Sequence, residues 1–371
     1  MNSSMHRALA LAGCAIFPLA TSAQSADTSR VSLYGFLKVD VEQVRASGTP
    51  GAVALRANRL SNNLSVLGFR TREDLGGGMA AWAQFEGNVR VDTGDGPFNG
   101  RNTAVGLSTP AGELVLGQWE APLRFTSVYA IDPFTAGIFA SNSIMGNGFA
   151  TGANGQSPAS FDRRQPNLLQ YWSPAMGAWS LRLAYAMPEE KTDQSSPDMF
   201  SGLLSYRDGP LYAAWGYELH RAYFGAHSRD DAHRLALAYS FGRTRLRGSW
   251  EQLRYEPAPG QSLRRSAWQV AVTHQLDDWQ ELALSYVQAQ AARGNATSAV
   301  GGIGIPGTDS GARQISLGYT YRLSKRTDLW AAYTRIANGA TAAYNLSANG
   351  INGLKPGQDP SGMGIGITHR F

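Results

Sequence analysis

The chain has 371 residues, one cysteine and a formal net charge of +5. That charge is diffuse, with no long Lys/Arg run, so no nucleic-acid arm and no nucleic-acid partner is expected. Glycine and the aromatics are abundant and helix-period patterning is scarce. Beyond the N-terminal segment there is no stretch of about 18 apolar residues, so transmembrane helices are not expected and an all-β class remains.

The first element is a leader. Met1–Arg7 is positively charged, Ala8–Ala20 is apolar, and Thr21-Ser22-Ala23 offers small residues for cleavage before Gln24. Residues 1–23 therefore read as a secretory signal peptide and 24–371 as the exported domain. Leu11-Ala12-Gly13-Cys14 leaves open a lipobox reading, in which Cys14 would be lipidated. Once Cys14 is removed the exported chain has no thiol for a disulfide, a metal site or a nucleophile.

From Arg30 onward, alternation of period two sets in. Val31, Leu33, Leu37, Val39 and Val41 share one face, and Ser32, Tyr34, Lys38, Asp40 and Glu42 the other. The pattern repeats in Met79–Val91, Trp179–Met187, Arg234–Phe241 and Gln314–Arg322. Strands are expected at Val31–Val44, Asn63–Glu73, Met79–Val91, Arg101–Ser108, Glu113–Trp119, Arg163–Ser173, Trp179–Met187 and Phe200–Arg207. Further strands are expected at Leu211–Leu219, Ala232–Phe241, Thr244–Arg254, Arg265–Gln275, Glu281–Gln290, Ala312–Tyr321, Asp328–Ala337 and Gly362–Phe371. Trp330 interrupts the phase of Asp328–Ala337.

Short, turn-forming connections alternate with long ones, which puts the long loops at one end of an antiparallel meander. The segments mostly run about nine to twelve residues, the length of a tilted membrane strand. Aromatics stand at segment ends on the apolar face (Tyr185, Tyr239, Phe241, Trp268, Tyr319, Tyr321), as in an interfacial girdle. The expected architecture is a transmembrane antiparallel β-barrel of about 16 strands, even in number and wide enough for a water-filled channel. A sheet in lipid must close, so Val31–Val44 is expected to pair with Gly362–Phe371.

Several of these stretches, in order, resemble the general diffusion porins of the Gram-negative outer membrane. They are Val31–Gly35, Leu67–Met79, Ala104–Ser108, Leu116–Gln118, Asn167–Pro174 and His369-Arg370-Phe371, and together they cover nearly all of the exported chain. The resemblance implies a usually trimeric outer-membrane channel for small hydrophilic solutes and ions, without cofactor, metal or catalysis. It also implies contact with outer-membrane lipid and lipopolysaccharide, and assembly by the barrel-assembly machinery with Phe371 as the terminal aromatic signal.

In that family the third long loop folds inward. Here it would be Glu120–Ser160, the longest connection, rich in aromatic and small residues (Phe125, Tyr129, Phe134, Phe139) with Asp132 its one interior acid. The family's loop acids face wall arginines, and this chain departs from that pattern. Val66, Gln118 and Phe36 stand where basic residues are common, and Arg164 is the matched wall arginine. The candidate pore-lining and constriction residues are Lys38, Asp40, Arg70, Glu86, Arg90, Gln118, Asp132 and Arg164. Arg182 and the row Arg243, Arg245, Arg247 are further basic positions. The resulting expectation is a weakened constriction field and muted or altered ion selectivity.

The reading from another class is an outer-membrane barrel hydrolase with a rim site in residues 220–233, where His220, His227 and His233 lie near Asp230 and Asp231. Their spacing matches no metal-ligand motif. Gly302–Gly307 fits G-x-G-x-x-G, but no strand–helix unit surrounds it, so it reads as a loop.

Overall fold

The structure is a computed structural model that describes residues 30–371 apart from 50, 97, 99, 127–129, 152–157, 190–191 and 193–194. The expected leader with Cys14, and Tyr129, lie outside the described residues.

All strands belong to one sheet. In chain order they are β1 (Arg30–Ala46), β2 (Leu55–Asn62), β3 (Val66–Gly76), β4 (Met79–Asn88), β5 (Thr103–Thr109), β6 (Gly112–Glu120) and β7 (Phe149–Thr151). Next come β8 (Asp162–Trp172), β9 (Trp179–Ala186), β10 (Asp198–Asp208), β11 (Leu211–Arg221), β12 (Arg229–Phe241) and β13 (Thr244–Tyr255). The last are β14 (Leu263–Gln275), β15 (Gln280–Ala289), β16 (Arg293–Gly294), β17 (Ala312–Arg322), β18 (Thr327–Asn338) and β19 (Pro360–Arg370).

The sheet is a closed antiparallel barrel of 16 staves. β7 and β16 are short additions within loops, and β2 and β3 form one stave, since both pair with β1. Closure runs from Phe36↔Arg370 to Ala46↔Pro360, so the staves form a ring, with β2 itself pairing only with β1 and β3 carrying the stave's pairing to β4. The alternation fixes the facing. Val31, Val41, Ile365 and Met363 are 73, 64, 72 and 54% exposed on the outer face, while the intervening Asp40, Glu42 and Thr368 are buried on the inner face. The outer aromatics Tyr185, Tyr239, Phe241 and Tyr321 are exposed near strand ends.

One expectation is corrected and one open facing is resolved. Residues 45–62 were expected as loop, but Leu55–Asn62 is strand, paired with β1 from Leu55↔Ala46 to Asn62↔Val39. The stave then breaks at Asn63–Ser65, where Leu64 adopts φ 58°. The Asn63 N–H donates to the Lys38 carbonyl at 2.8 Å and its side-chain amide to Asp40 at 2.8 Å, which pins the break. Trp330 does interrupt the apolar–polar phase, and the facing of its strand is defined. It stays on the inner face in register opposite Gly366 and packs edge-on against Phe139 at 5.8 Å.

Candidate pore constriction

The connection from β6 to β8 begins with a 3₁₀ turn, Pro122–Thr126. Its apolar side chains settle where the wall lacks them. A Cβ on Gly216 would meet Leu123 at 2.7 Å, one on Gly318 would meet Phe134 at 2.6 Å, and one on Gly362 would meet Ile138 at 2.4 Å. All three glycines occupy inner-face positions of their strands, so each missing side chain lets loop approach wall closely. Ala130 and Ile131 likewise pack on Leu203, Tyr212, Ala214, Ala236 and Ala238.

Polar inner-face side chains hold the loop's main chain. Ser201 Oγ accepts from Leu123 N at 3.1 Å, Gln314 donates to the Ala140 carbonyl at 3.1 Å, and Ser316 donates to the Phe139 carbonyl at 2.8 Å. On β13, Glu251 accepts from Gly146 N at 3.0 Å and from Arg234 and Arg265, each at 2.6 Å. Arg265 also donates to the Ile144 carbonyl and Arg234 to the Leu123 carbonyl. Nearer the loop's root, Arg124 pairs with Glu120 and Asp162, and Arg164 shares Glu120. Both guanidiniums lie over the Phe149 ring. Burial of these charges is offset by their pairing, with Arg265 Nε and Asp162 Oδ2 left as the buried atoms of the cluster without a hydrogen-bond partner.

The sequence-derived candidates fall into distinct settings. Lys38 donates to the Ala136 carbonyl at 2.7 Å and to that of Thr135 at 3.3 Å, and it lies 4.9 Å over Trp330. Asp40 is buried with Asn63, and Glu86 accepts from Tyr34 at 3.0 Å and Arg101 at 2.6 Å. Arg70 is exposed, stacked 4.8 Å over Trp82. Arg90 stands apart beyond β4, 3.9 Å from Asp95. Gln118 falls where the β6–β8 register shifts, and its amide donates to the Arg101 carbonyl at 3.0 Å.

Asp132 accepts from Phe134 N at 2.9 Å and Ser141 N at 2.6 Å. Burial pushes its carboxyl above the ordinary value, against the lowering effect of those two N–H groups. Its first task is therefore to brace the loop.

Sequence reasoning passed over Arg124, Arg234, Glu251, Arg265 and the docking glycines. The glycines did carry a signal, since Gly216, Gly318 and Gly362 fall in the polar phase of otherwise regular strands. Between loop and wall a cavity of about 600 Å³ is lined by Lys38, Arg101, Arg124, Arg322, Lys325 and Arg370, against Glu281 and Asp328. Phe36 lines it too.

The family model described as Gram-negative porin matches residues 8–341. The chain belongs to the Gram-negative porin family. Outer membrane porin protein 32 of Delftia acidovorans is 28% identical over 367 residues, which span 96% of this chain and 98% of that one. An outer membrane porin protein of Bordetella pertussis is 26% identical, with both chains covered in full. Among solved structures, the anion-selective porin from Comamonas acidovorans superposes with a TM-score of 0.77 at 27% identity, over 92% of this chain and all of that one.

This porin is thus an outer-membrane diffusion channel, and His220, His227 and His233 are not brought together into a rim site. His220 is buried, 2.9 Å from Glu218 and sandwiched between Phe161 and Tyr223, each at 4.3 Å. His233 faces outward against Tyr217 at 4.8 Å, and His227 lies in an exposed turn. Successive strand positions point to opposite faces, which is what scatters them. Among the described residues no group of His, Cys, Asp and Glu could hold a metal.

Proposed function

We propose that residues 120–160 of this porin are its constriction loop, folded into the lumen, and that the passage left open prefers anions. The observation that carries the second part is the basic excess on the inner wall. Arg101, Arg124, Arg322 and Arg370 each have a carboxylate partner, which mutes the field locally. Among the described residues Lys38, Arg70, Arg182, Arg207, Arg245 and Arg247 have no carboxylate within 4.0 Å, so they set the sign of the remaining potential. Supporting the first part are the bonds from loop backbone to inner-face side chains of β1, β10, β13, β14 and β17. The Comamonas acidovorans porin, similar over nearly the whole chain, is itself anion-selective.

The family resemblance further supports a homotrimer in outer-membrane lipid and lipopolysaccharide. It also supports removal of residues 1–23 on export and recognition of Phe371 by the barrel-assembly machinery. Lys38, Asp40, Arg70, Glu86, Gln118, Asp132 and Arg164 belong to the proposed constriction and its supports, with Arg90 at the outer mouth. The deciding experiment is reversal potential in planar bilayers across a KCl gradient. A potential on the chloride side is expected, and one on the potassium side overturns the anion preference.

A further inference from the structure

Arg207 on β10, Tyr212 on β11 and Arg247 on β13 lie in one inner-face row, since Arg207 pairs with Tyr212, Tyr212 with Ala238, and Ala238 with Arg247. Arg245 is two residues away on the same face of β13, and Arg182 reaches in from β9. The Arg207 guanidinium sits 4.9 Å over the Tyr212 ring. Arg182 pairs with Leu203, which packs in one cluster with Tyr212, so it belongs to the same patch. Four like charges in one patch repel one another, and the protein spends few contacts on relieving that.

The contacts they do make leave their donors free. Arg182 is held by ring faces, 4.2 Å from Phe125 and 4.8 Å from Trp172. Stacking uses the face of a guanidinium and keeps its N–H edge available. Arg247 spends one nitrogen on Thr273 at 3.2 Å, while the buried Nε of Arg247 and that of Arg245 have no partner.

The acids that feel these arginines are already engaged. Asp132 holds two loop N–H groups, Glu281 holds Arg322, Glu113 holds Trp82, and Glu120 holds Arg124 and Arg164. Ile131, packed on Ala236 and Ala238, places the patch directly beside the loop and toward the short-turn end of the barrel.

We infer that Arg182, Arg207, Arg245 and Arg247, grouped around Tyr212, form a saturable binding site for multivalent oxyanions, with inorganic phosphate as the simplest occupant. The inference rests on the channel reading above and adds a specific stop along the path. Guanidiniums grouped on one face match a tetrahedral oxyanion better than a monovalent halide, because each can donate two parallel hydrogen bonds.

The test is single-channel conductance in KCl while potassium phosphate is titrated in, for the wild-type chain and for Arg247→Gln, Arg245→Gln and Arg243→Gln. Arg243 lies in the short turn and pairs with Asp278 at 3.0 Å, so its variant removes the same charge outside the site. Phosphate is expected to reduce chloride current along a saturating curve. Arg245→Gln and Arg247→Gln are each expected to raise the half-blocking concentration about tenfold, with Arg243→Gln close to wild type. A linear, unsaturated response, or equal shifts in all three variants, overturns the site. KCl reversal potentials on the same channels keep the outcomes apart. Retained anion preference without saturable block removes the site alone, whereas a potential on the potassium side removes the anion preference as well.

Discussion

Glu251 and Arg265 meet at 2.6 Å with both side chains wholly buried, and each also holds a main-chain group of the β6–β8 loop. Glu251 is shared with Arg234, so one carboxylate answers two guanidiniums and one backbone N–H. One acid thereby gathers two wall arginines and a loop N–H into a single contact between loop and wall.

Removing that acid leaves two buried cations facing each other. Glu251→Ala is expected to cost about 3–5 kcal/mol, the range for breaking a buried ion pair. The measurement is unfolding of the refolded protein in detergent by heat or denaturant, together with current noise in bilayers. Wild-type stability in the variant would show that the bonds from Lys38, Ser201, Gln314 and Ser316 hold the loop without this acid.

The barrel was legible because lipid and lumen impose opposite chemistries on successive residues, and Met363, Ile365 and Ile367 keep one phase throughout. Residues that answer to the loop were harder to read. Trp330 is apolar on a polar face because it meets Phe139. Leu55–Asn62 hid because its inner residues, Arg59 and Ser61, are spent on Glu42. Charge spacing along a strand also does not say which loop a wall arginine will meet, so Arg124, Arg234 and Arg265 were passed over.

Gly318 tests the docking of the loop from the wall side. A Cβ there would lie 2.6 Å from the Phe134 ring, too close without a shift. Gly318→Val is expected to push Phe134 off the wall at a cost of about 1–3 kcal/mol, as for other overpacked sites. Single-channel conductance should change with it, since Phe134 lines the cavity. An unchanged conductance histogram would place Phe134 outside the conducting path.

Asp132 gives the pH dependence a definite sign. Its carboxyl titrates above the ordinary value of 3.8 because burial disfavours the charge. Folding therefore binds a proton more tightly at this site than the unfolded chain does. Its contribution is most favourable at low pH and declines as pH rises through the raised folded value. Asp132→Asn, which carries no charge, should remove this component. In thermal melts from neutral toward acid pH, the wild type is expected to gain relative to the variant above the ordinary carboxylate value. A constant difference would mean that Asp132 titrates as it does in water.

Phe371 pairs with Gly35 at the seam of the barrel. Its N–H donates to the Gly35 carbonyl at 3.2 Å, its carbonyl accepts from Gly35 N at 3.3 Å, and its ring occupies the space that a Cβ on Gly35 would enter. The backbone bonds survive substitution, so Phe371→Ala keeps the pairing of β1 with β19 and removes only the exposed ring. If that ring is the assembly signal, the variant should reach the periplasm yet accumulate less as folded barrel in the outer membrane. Fractionation with heat-modifiable gel mobility measures both. A variant that folds normally after purification but assembles poorly in cells isolates the signal from stability. Normal outer-membrane levels would assign the ring to packing at the seam.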